Sequence, residues 1–253
     1  MTSESRIWTA ALIVVGDEIL SGRTQDKNIA QVATWLGVQG IRLREVRVVP
    51  DVMEAIIEAV NTLRARNDYL FTTGGIGPTH DDITIDAVAE ALGVEVVIHP
   101  KARAVLESYY ATRGGLNDAR LRMARVPAGA DLIENKVSGA PGIRAGNVYL
   151  MAGVPGITAQ MLDGLTGTLE GGLQLLSTTI GCWVAESEIA DLLRETEKTF
   201  EGCQIGSYPF FREGKTGANF VIRSVSDVQL KACAHALEKG LAAMGRFPVA
   251  GGI

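Results

Sequence analysis

Residues 68–92 read DYLFTTGGIGPTHDDITIDAVAEAL and contain the side chains best suited to chemistry. Gly74, Gly75, Gly77 and Pro78 are followed at once by Thr79, His80, Asp81 and Asp82. Glycines let the backbone approach a ligand closely, and amides at a helix start point at an anion. Neighbouring carboxylates beside a phosphate suit a divalent cation held by oxygen ligands. The stretch therefore predicts a phosphate contact at Gly74, Gly75, Gly77, Pro78, Thr79 and His80, with a metal at Asp81 and Asp82. His80 is read as a contact and not as a general base. A helix cap explains part of the pattern, since Thr79 and Asp82 have capping spacing and acids in a first turn suit the helix dipole. It does not explain three glycines, a proline and a histidine together. No Gly-Lys-Ser/Thr follows, so the loop is not a Walker A motif, and no third glycine completes a dinucleotide fingerprint. No Ser-His-Asp order or reactive-cysteine setting supports a covalent mechanism.

The flanking elements must position this loop. Tyr69, Leu70 and Phe71 form a short apolar run that predicts a buried strand, and Ile83, Ala87, Val88, Ala91 and Leu92 have helical spacing. Residues 8–15 are apolar on both faces, as in a central parallel strand, and run into a polar loop at 16–22. A helix is expected from 26 or 28 to 36. Residues 41–49 alternate apolar and basic side chains, which predicts an edge strand; Pro50-Asp51 ends it before a helix over 52–66. A strand at 95–98, helices at 100–113 and 118–125, a loop and short strand within 127–135, a glycine-proline loop at 137–142, a strand at 147–152 and a helix from 157 complete the alternation. The fold class is α/β, an open, mostly parallel sheet with helices on both faces. The pattern changes at Gly171-Gly172, giving domains 1–170 and 171–253. The second is a small α+β unit of order β-α-β-β-α with a turn at 210–217, read as a spacer, dimer or lid module.

Composition narrows the function classes. The chain has 253 residues, 47% of them apolar and 21% charged, enough for a packed core. A net charge of −5 argues against a nucleic-acid surface. The arginine clusters 42/44/47 and 120/122/125 are read as solvated faces. Cys182, Cys203 and Cys233 are far apart with no C-x-x-C pair, so each is read as core filler in a reducing compartment. No apolar run spans a membrane and no secretory pattern opens the chain. A cytoplasmic protein with no membrane and no nucleic-acid partner is expected.

TTGGIGPTHDDIT resembles the signature of the molybdopterin-binding (MoaB/Mog) superfamily, and more closely the CinA branch and the related domain fused to eukaryotic FAD synthases. By that resemblance Asp82 matches the acid closing G-G-x-G-x-x-x-x-D, and Asp51 the acid after a proline behind the second strand. Residues 151–155 are similar to the late L-P-G-x-P loop, with Gly153 and Pro155 kept and Ala152 in place of a proline. Asp17 and Glu18 fall in a segment similar to the branch's G-T/D-E-L/I-L-x-G motif, and Asn28 matches its first-helix asparagine. Residues 138–142, SGAPG, resemble a G-T-A-P-G loop in which Ser138 replaces glycine and Gly139 replaces threonine. Residues 205–211, IGSYPFF, also resemble that branch. The C-terminal deamidase domain of many CinA proteins is not expected, so no nicotinamide mononucleotide deamidation is assigned.

The resemblance implies metal-dependent hydrolysis of a nucleotide pyrophosphate such as ADP-ribose or FAD, with magnesium, manganese or cobalt, and a homo-oligomer. Asp82, Asp51, Asp17 and Glu18 are the catalytic candidates. Asn28, Gly139, Gly153 and Pro155 join the glycine loop as ligand contacts. The alternative is a binding module that holds a nucleotide or pterin phosphate, including molybdopterin, without turnover. Four or five carboxylates beside a phosphate favour the enzyme, because they repel the ligand unless a cation intervenes.

Overall fold

The computed structural model describes residues 6–135, 137–212 and 214–253. Two compact units divide the chain, Met1–Gly172 and Leu173–Ile253.

In the first unit, β1 (Trp8–Val15) leads to a one-turn helix α1 (Asp17–Leu20), then α2 (Asn28–Val38), β2 (Ile41–Val49), α3 (Met53–Arg64), β3 (Tyr69–Thr73) and α4 (Thr84–Leu92). There follow β4 (Val96–Ile98), α5 (Pro100–Tyr110), α6 (Asp118–Leu121) with a 3-10 turn at Arg122–Ala124, and β5 (Arg125–Pro127). The unit closes with β6 (Asp131–Ile133), β7 (Gly142–Ala145), β8 (Val148–Met151) and α7 (Pro155–Leu165). The main sheet has order β2-β1-β3-β8-β7-β6. Its first four strands are parallel, and β7 and β6 extend it in antiparallel fashion. β1 is buried along six successive residues and pairs on both sides, as its unbroken apolar run predicts, while the alternating β2 forms the edge.

Two cores lie on opposite faces of this sheet. Ala11, Ile13, Val15 and Leu70 face α3 and α4, where Ile56, Val60, Leu63 and Val88 are buried. Leu12, Val14, Phe71 and Tyr149 face α2 and α7, where Val32, Leu36, Met161 and Leu162 are buried. Each of the Val, Leu, Ile, Phe and Met side chains among these contributes about 1.5–3 kcal/mol on leaving water. A satellite core of Ala102, Leu106 and Ala124 sits under α5 and the 3-10 turn.

Several elements differ from the sequence reading. Residues 17–20 form a helical turn, not an open loop. β4 pairs only with β5 in a separate two-stranded sheet, outside the main one. β7 was not foreseen. α4 starts at Thr84, so Asp81 and Asp82 precede the helix; the acid in its first turn is Asp86.

The second unit contains β9 (Leu176–Cys182), α8 (Glu186–Thr199), β10 (Cys203–Arg212), β11 (Lys215–Ser224), α9 (Asp227–Ala243) and β12 (Val249–Ala250), with sheet order β10-β11-β9-β12, all antiparallel. β10 and β11 run on through 210–212 and 215–217, where a turn was expected. Ala218, Phe220 and Ile222 alternate inward against Ile189, Leu230, Leu237 and Leu241. On the outer strand, the Ile205 N–H donates to Glu197 Oε2 at 2.9 Å, and Pro209, four residues on, has no N–H to offer. Cys182, Cys203 and Cys233 are free and buried. Among the described residues no helix is long and apolar enough to cross a membrane.

Candidate functional site

Because β1, β2, β3 and β8 run parallel, the loops after Val15, Val49, Thr73 and Met151 emerge at one end of the sheet. The strand order reverses around β1 and β3, and ligands of open α/β sheets bind in the crevice at such a point. A cleft of about 690 Å³ opens there, within the first unit. It is lined by Glu18, Asp51, Asp81 and Asp82, by residues 74–78, and by 152–155.

The glycine loop is shaped by close backbone approach. Gly74 has φ +97°, and a Cβ on it would lie 2.2 Å from the Val15 carbonyl oxygen, so no larger residue fits. Thr84 fastens the far end of the loop: its N–H donates to Gly75 O at 3.0 Å and its hydroxyl to Gly74 O at 3.0 Å. Among the described residues the amides of Gly75, Ile76 and Gly77 have no protein acceptor, and all three residues line the cleft. Successive free amides of this kind form an anion-accepting concavity.

Thr79 and Asp82 do not cap α4. The Thr79 N–H donates to Asp82 Oδ2 at 2.7 Å, and the Thr79 hydroxyl donates to the same oxygen, closing a turn within the loop. Asp51 likewise does not cap α3, whose first flanking residue is Val52; its Oδ2 accepts the Asp17 N–H at 2.9 Å. Burial, opposed by that hydrogen bond and reinforced by the charges of Asp17, Glu18 and Asp81, pushes the Asp51 carboxyl above its usual range. Asp81 is directed below that range by the polar groups beside it, first the Thr79 side chain, whose hydroxyl proton points to Asp82, then its own amide and His80.

The remaining expected site residues fall in different places. Gly74, Gly75, Gly77, Pro78, Gly153 and Pro155 line the cleft; Asp17, Asn28, Thr79, His80 and Gly139 are not among its lining residues. The His80 side chain is 99% exposed, 4.0 Å from Asp81. Asn28 is 3% exposed and donates through Nδ2 to Gly153 O at 2.8 Å, so it holds the 152–155 loop from behind. Sequence reasoning missed Tyr110 and Met123 as lining residues, and in the 138–142 loop it expected the contact at Gly139, whereas Ser138, Ala140 and Pro141 line the cleft. In the arginine clusters, Arg47 pairs with Glu45 and Glu58, and Arg125 with Asp86.

Among the described residues no three His, Cys, Asp or Glu side chains gather to cage a metal. Glu18, Asp51, Asp81 and Asp82 line the cleft and offer oxygen atoms alone, the donor type that a magnesium-like ion takes one or two at a time.

Residues 11–170 match the family described as "Probable molybdopterin binding domain", and residues 174–247 match "FAD synthase, middle domain". A protein of Aeropyrum pernix is 34% identical over 219 residues, covering 83% of this chain and 81% of that one. A CinA-like protein of Citrifermentans bemidjiense is 38% identical over 193 residues, 72% of this chain and 46% of the relative, so the chain spans less than half of that protein's length. Among solved structures, the protein CinA with unknown function from Thermoplasma acidophilum is similar with a TM-score of 0.59 and 33% identity, over 63% of this chain and 96% of that one. With its glycine loop, parallel sheet and these matches, the chain belongs to the molybdopterin-binding (MoaB/Mog-like) family and groups with its CinA-like members.

Proposed function

We propose that the cleft binds a nucleotide pyrophosphate and hydrolyses it with a divalent metal ion, ADP-ribose and FAD being the substrates to test. The observation that supports this most is the meeting, in one cleft, of three unpaired amides at 75–77 with the carboxylates of Glu18, Asp51, Asp81 and Asp82. The amides donate to the oxygens of one phosphate. Four carboxylates beside it would repel the ligand, so the site calls for a cation. When bound, such an ion neutralises charge and polarises the phosphoryl oxygens.

The residues then have distinct tasks. Asp81, kept ionised, and Glu18 supply oxygen ligands. Asp51 presents Oδ1 while its Oδ2 is fixed by Asp17, and its raised basicity suits it to take the proton from a water attacking phosphorus. The P–O bond of the pyrophosphate bridge breaks, and AMP leaves with ribose 5-phosphate or with FMN. The match of the second unit to a domain of FAD synthase is the reason FAD stands beside ADP-ribose.

A binding module for a pterin or nucleotide phosphate in molybdenum-cofactor handling is the second reading. The observation favouring it is that Asp82 is committed to Thr79 and no preformed metal cage exists among the described residues. One experiment separates the two: product release from ADP-ribose and FAD with magnesium, manganese or cobalt, beside a chelator control. AMP formed only with metal is expected. No product, with thermal stabilisation by a pterin or nucleotide, would replace the enzyme with the binding module.

A further inference from the structure

The second unit leaves one face of its sheet without a helix layer. Ala218, Phe220 and Ile222 of β11 point to the core shared with α8 and α9. Strand alternation and the β10–β11 register therefore send Asn219, Val221 and Arg223 of β11, and Tyr208, Phe210 and Arg212 of β10, to the opposite face. An antiparallel sheet with one solvated face ordinarily alternates apolar-in with polar-out.

Here the outward residues include rings. Tyr208 is 49% exposed, and its hydroxyl accepts from Arg223 Nη2 at 2.8 Å. Phe210 reaches across to Gly217, where a Cβ would lie 2.5 Å from its Cζ. Trp183 meets Phe210 edge-on, with ring centres 5.3 Å apart at 80°. The rings are thus held in place from within the sheet.

The charges on this face have one sign. Arg212 pairs with Lys215 at one end of the β10–β11 ladder, Arg223 lies toward the other end, and Tyr208 and Phe210 fall between them. The Arg212 guanidinium is 4.9 Å from the Phe210 ring centre, and that of Arg223 is 5.9 Å from the Tyr208 ring centre. None of the four strands of this sheet contains an Asp or Glu. The net charge of −5, from which no nucleic-acid surface was expected, is an average that this face reverses.

We propose that this sheet face binds single-stranded nucleic acid, with bases stacking at Tyr208 and Phe210 and phosphates meeting Arg212, Lys215 and Arg223. Base stacking on aromatic side chains within a positive track is how such strands are held without sequence preference. Outward side chains on one strand recur about every 6.8 Å. Stacked bases lie only about 3.4 Å apart along a strand, so each ring takes a base only when the bases are splayed. A duplex cannot offer that. A second copy of the chain, set face to face, would bring like charges together.

Fluorescence anisotropy of the full chain with a labelled oligothymidylate of about eight nucleotides tests this. At about 20 mM salt a dissociation constant of about 1–100 μM is expected, weakening with salt at a logarithmic slope near −2 for three cations. Tyr208→Ala should weaken binding about tenfold or more, and Tyr208→Phe should restore it. Arg212→Gln should weaken it several-fold and flatten the slope by about 0.7, which a merely structural role would not do. Excess AMP should leave the oligonucleotide bound; its displacement would put the strand in the cleft of the first unit and overturn the assignment without touching the pyrophosphatase reading. Absence of binding at low salt, a duplex bound as tightly as the single strand, or indifference to Tyr208→Ala would each overturn it as well. So would a dimer in solution that Tyr208→Ala dissociates, because the face would then be occupied by a second copy.

Discussion

Asp51 Oδ2 accepts the Asp17 N–H at 2.9 Å, so the loop behind β2 is tied to the first turn after β1. An asparagine at 51 keeps that acceptor and loses the charge. Asp51→Asn should therefore fold normally while turnover on ADP-ribose falls at least about a hundredfold. The raised pKa of Asp51 fixes the sign of the pH effect. Its stabilising contribution is complete below the ordinary aspartate range and is lost as pH rises through the folded-state value. The wild type has lost it at neutral pH, whereas the variant has no charge to lose. Melting at pH 4 and pH 7 should show the variant gaining on the wild type at the higher pH. The acid limb of the rate profile should lie above the usual carboxylate range and vanish in the residual activity of the variant.

Asn28 predicts a stability effect. Its Nδ2 donates to the Gly153 carbonyl, while its Oδ1 is buried with no partner. Asn28→Ala strands the carbonyl at a cost of about 1–3 kcal/mol, and each kcal/mol lowers Tm by about 2–4 °C. Asn28→Asp should be worse, because it sets an acceptor against an acceptor in a buried place. An aspartate variant as stable as the alanine one in thermal melts would contradict this placement.

Thr79→Val keeps the amide bond to Asp82 Oδ2 and removes the hydroxyl bond. At this exposed loop the stability cost should not exceed about 1 kcal/mol. With one donor gone, the Asp82 carboxylate is freer to serve a cation, so the magnesium concentration giving half-maximal turnover should fall several-fold. A rise would remove Asp82 from the metal's surroundings.

The thiols should be inert in the folded chain. Burial, with Cys203 alongside, pushes Cys233 up to about 12, and burial also raises Cys182. At pH 8 only about one Cys233 in ten thousand would be thiolate. Alkylating reagent should label none of the three cysteines until denaturant is added.

The long patterned segments were legible. Residues 8–15 had to be a central strand because no face of them tolerates water, and the alternation over 41–49 marked β2 as an edge. DEIL at 17–20 is too short for any period to separate a helical turn from a loop. The start of α4 was misplaced because Thr79 and Asp82 bond each other instead of the helix end, and spacing alone permits both. The glycine loop and the acids were visible as residue types. Tyr110 and Met123 were not: they come from α5 and the 3-10 turn, separate elements that meet only through tertiary packing. The loop at 137–142 is visible in the sequence, but its motif points to Gly139, which seats on Tyr109 while Ser138, Ala140 and Pro141 line the cleft.

The outer strand of the second unit has a consequence beyond its own sheet. Glu197 occupies the Ile205 N–H, and Pro209 removes another donor on the same border. A ten-residue strand that would otherwise invite sheet growth is thereby sealed at two points. Colloidal behaviour in a crowded solution is written into these two residues: Phe211 stands 72% exposed nearby, yet the backbone beside it gives a neighbouring molecule little to zip onto.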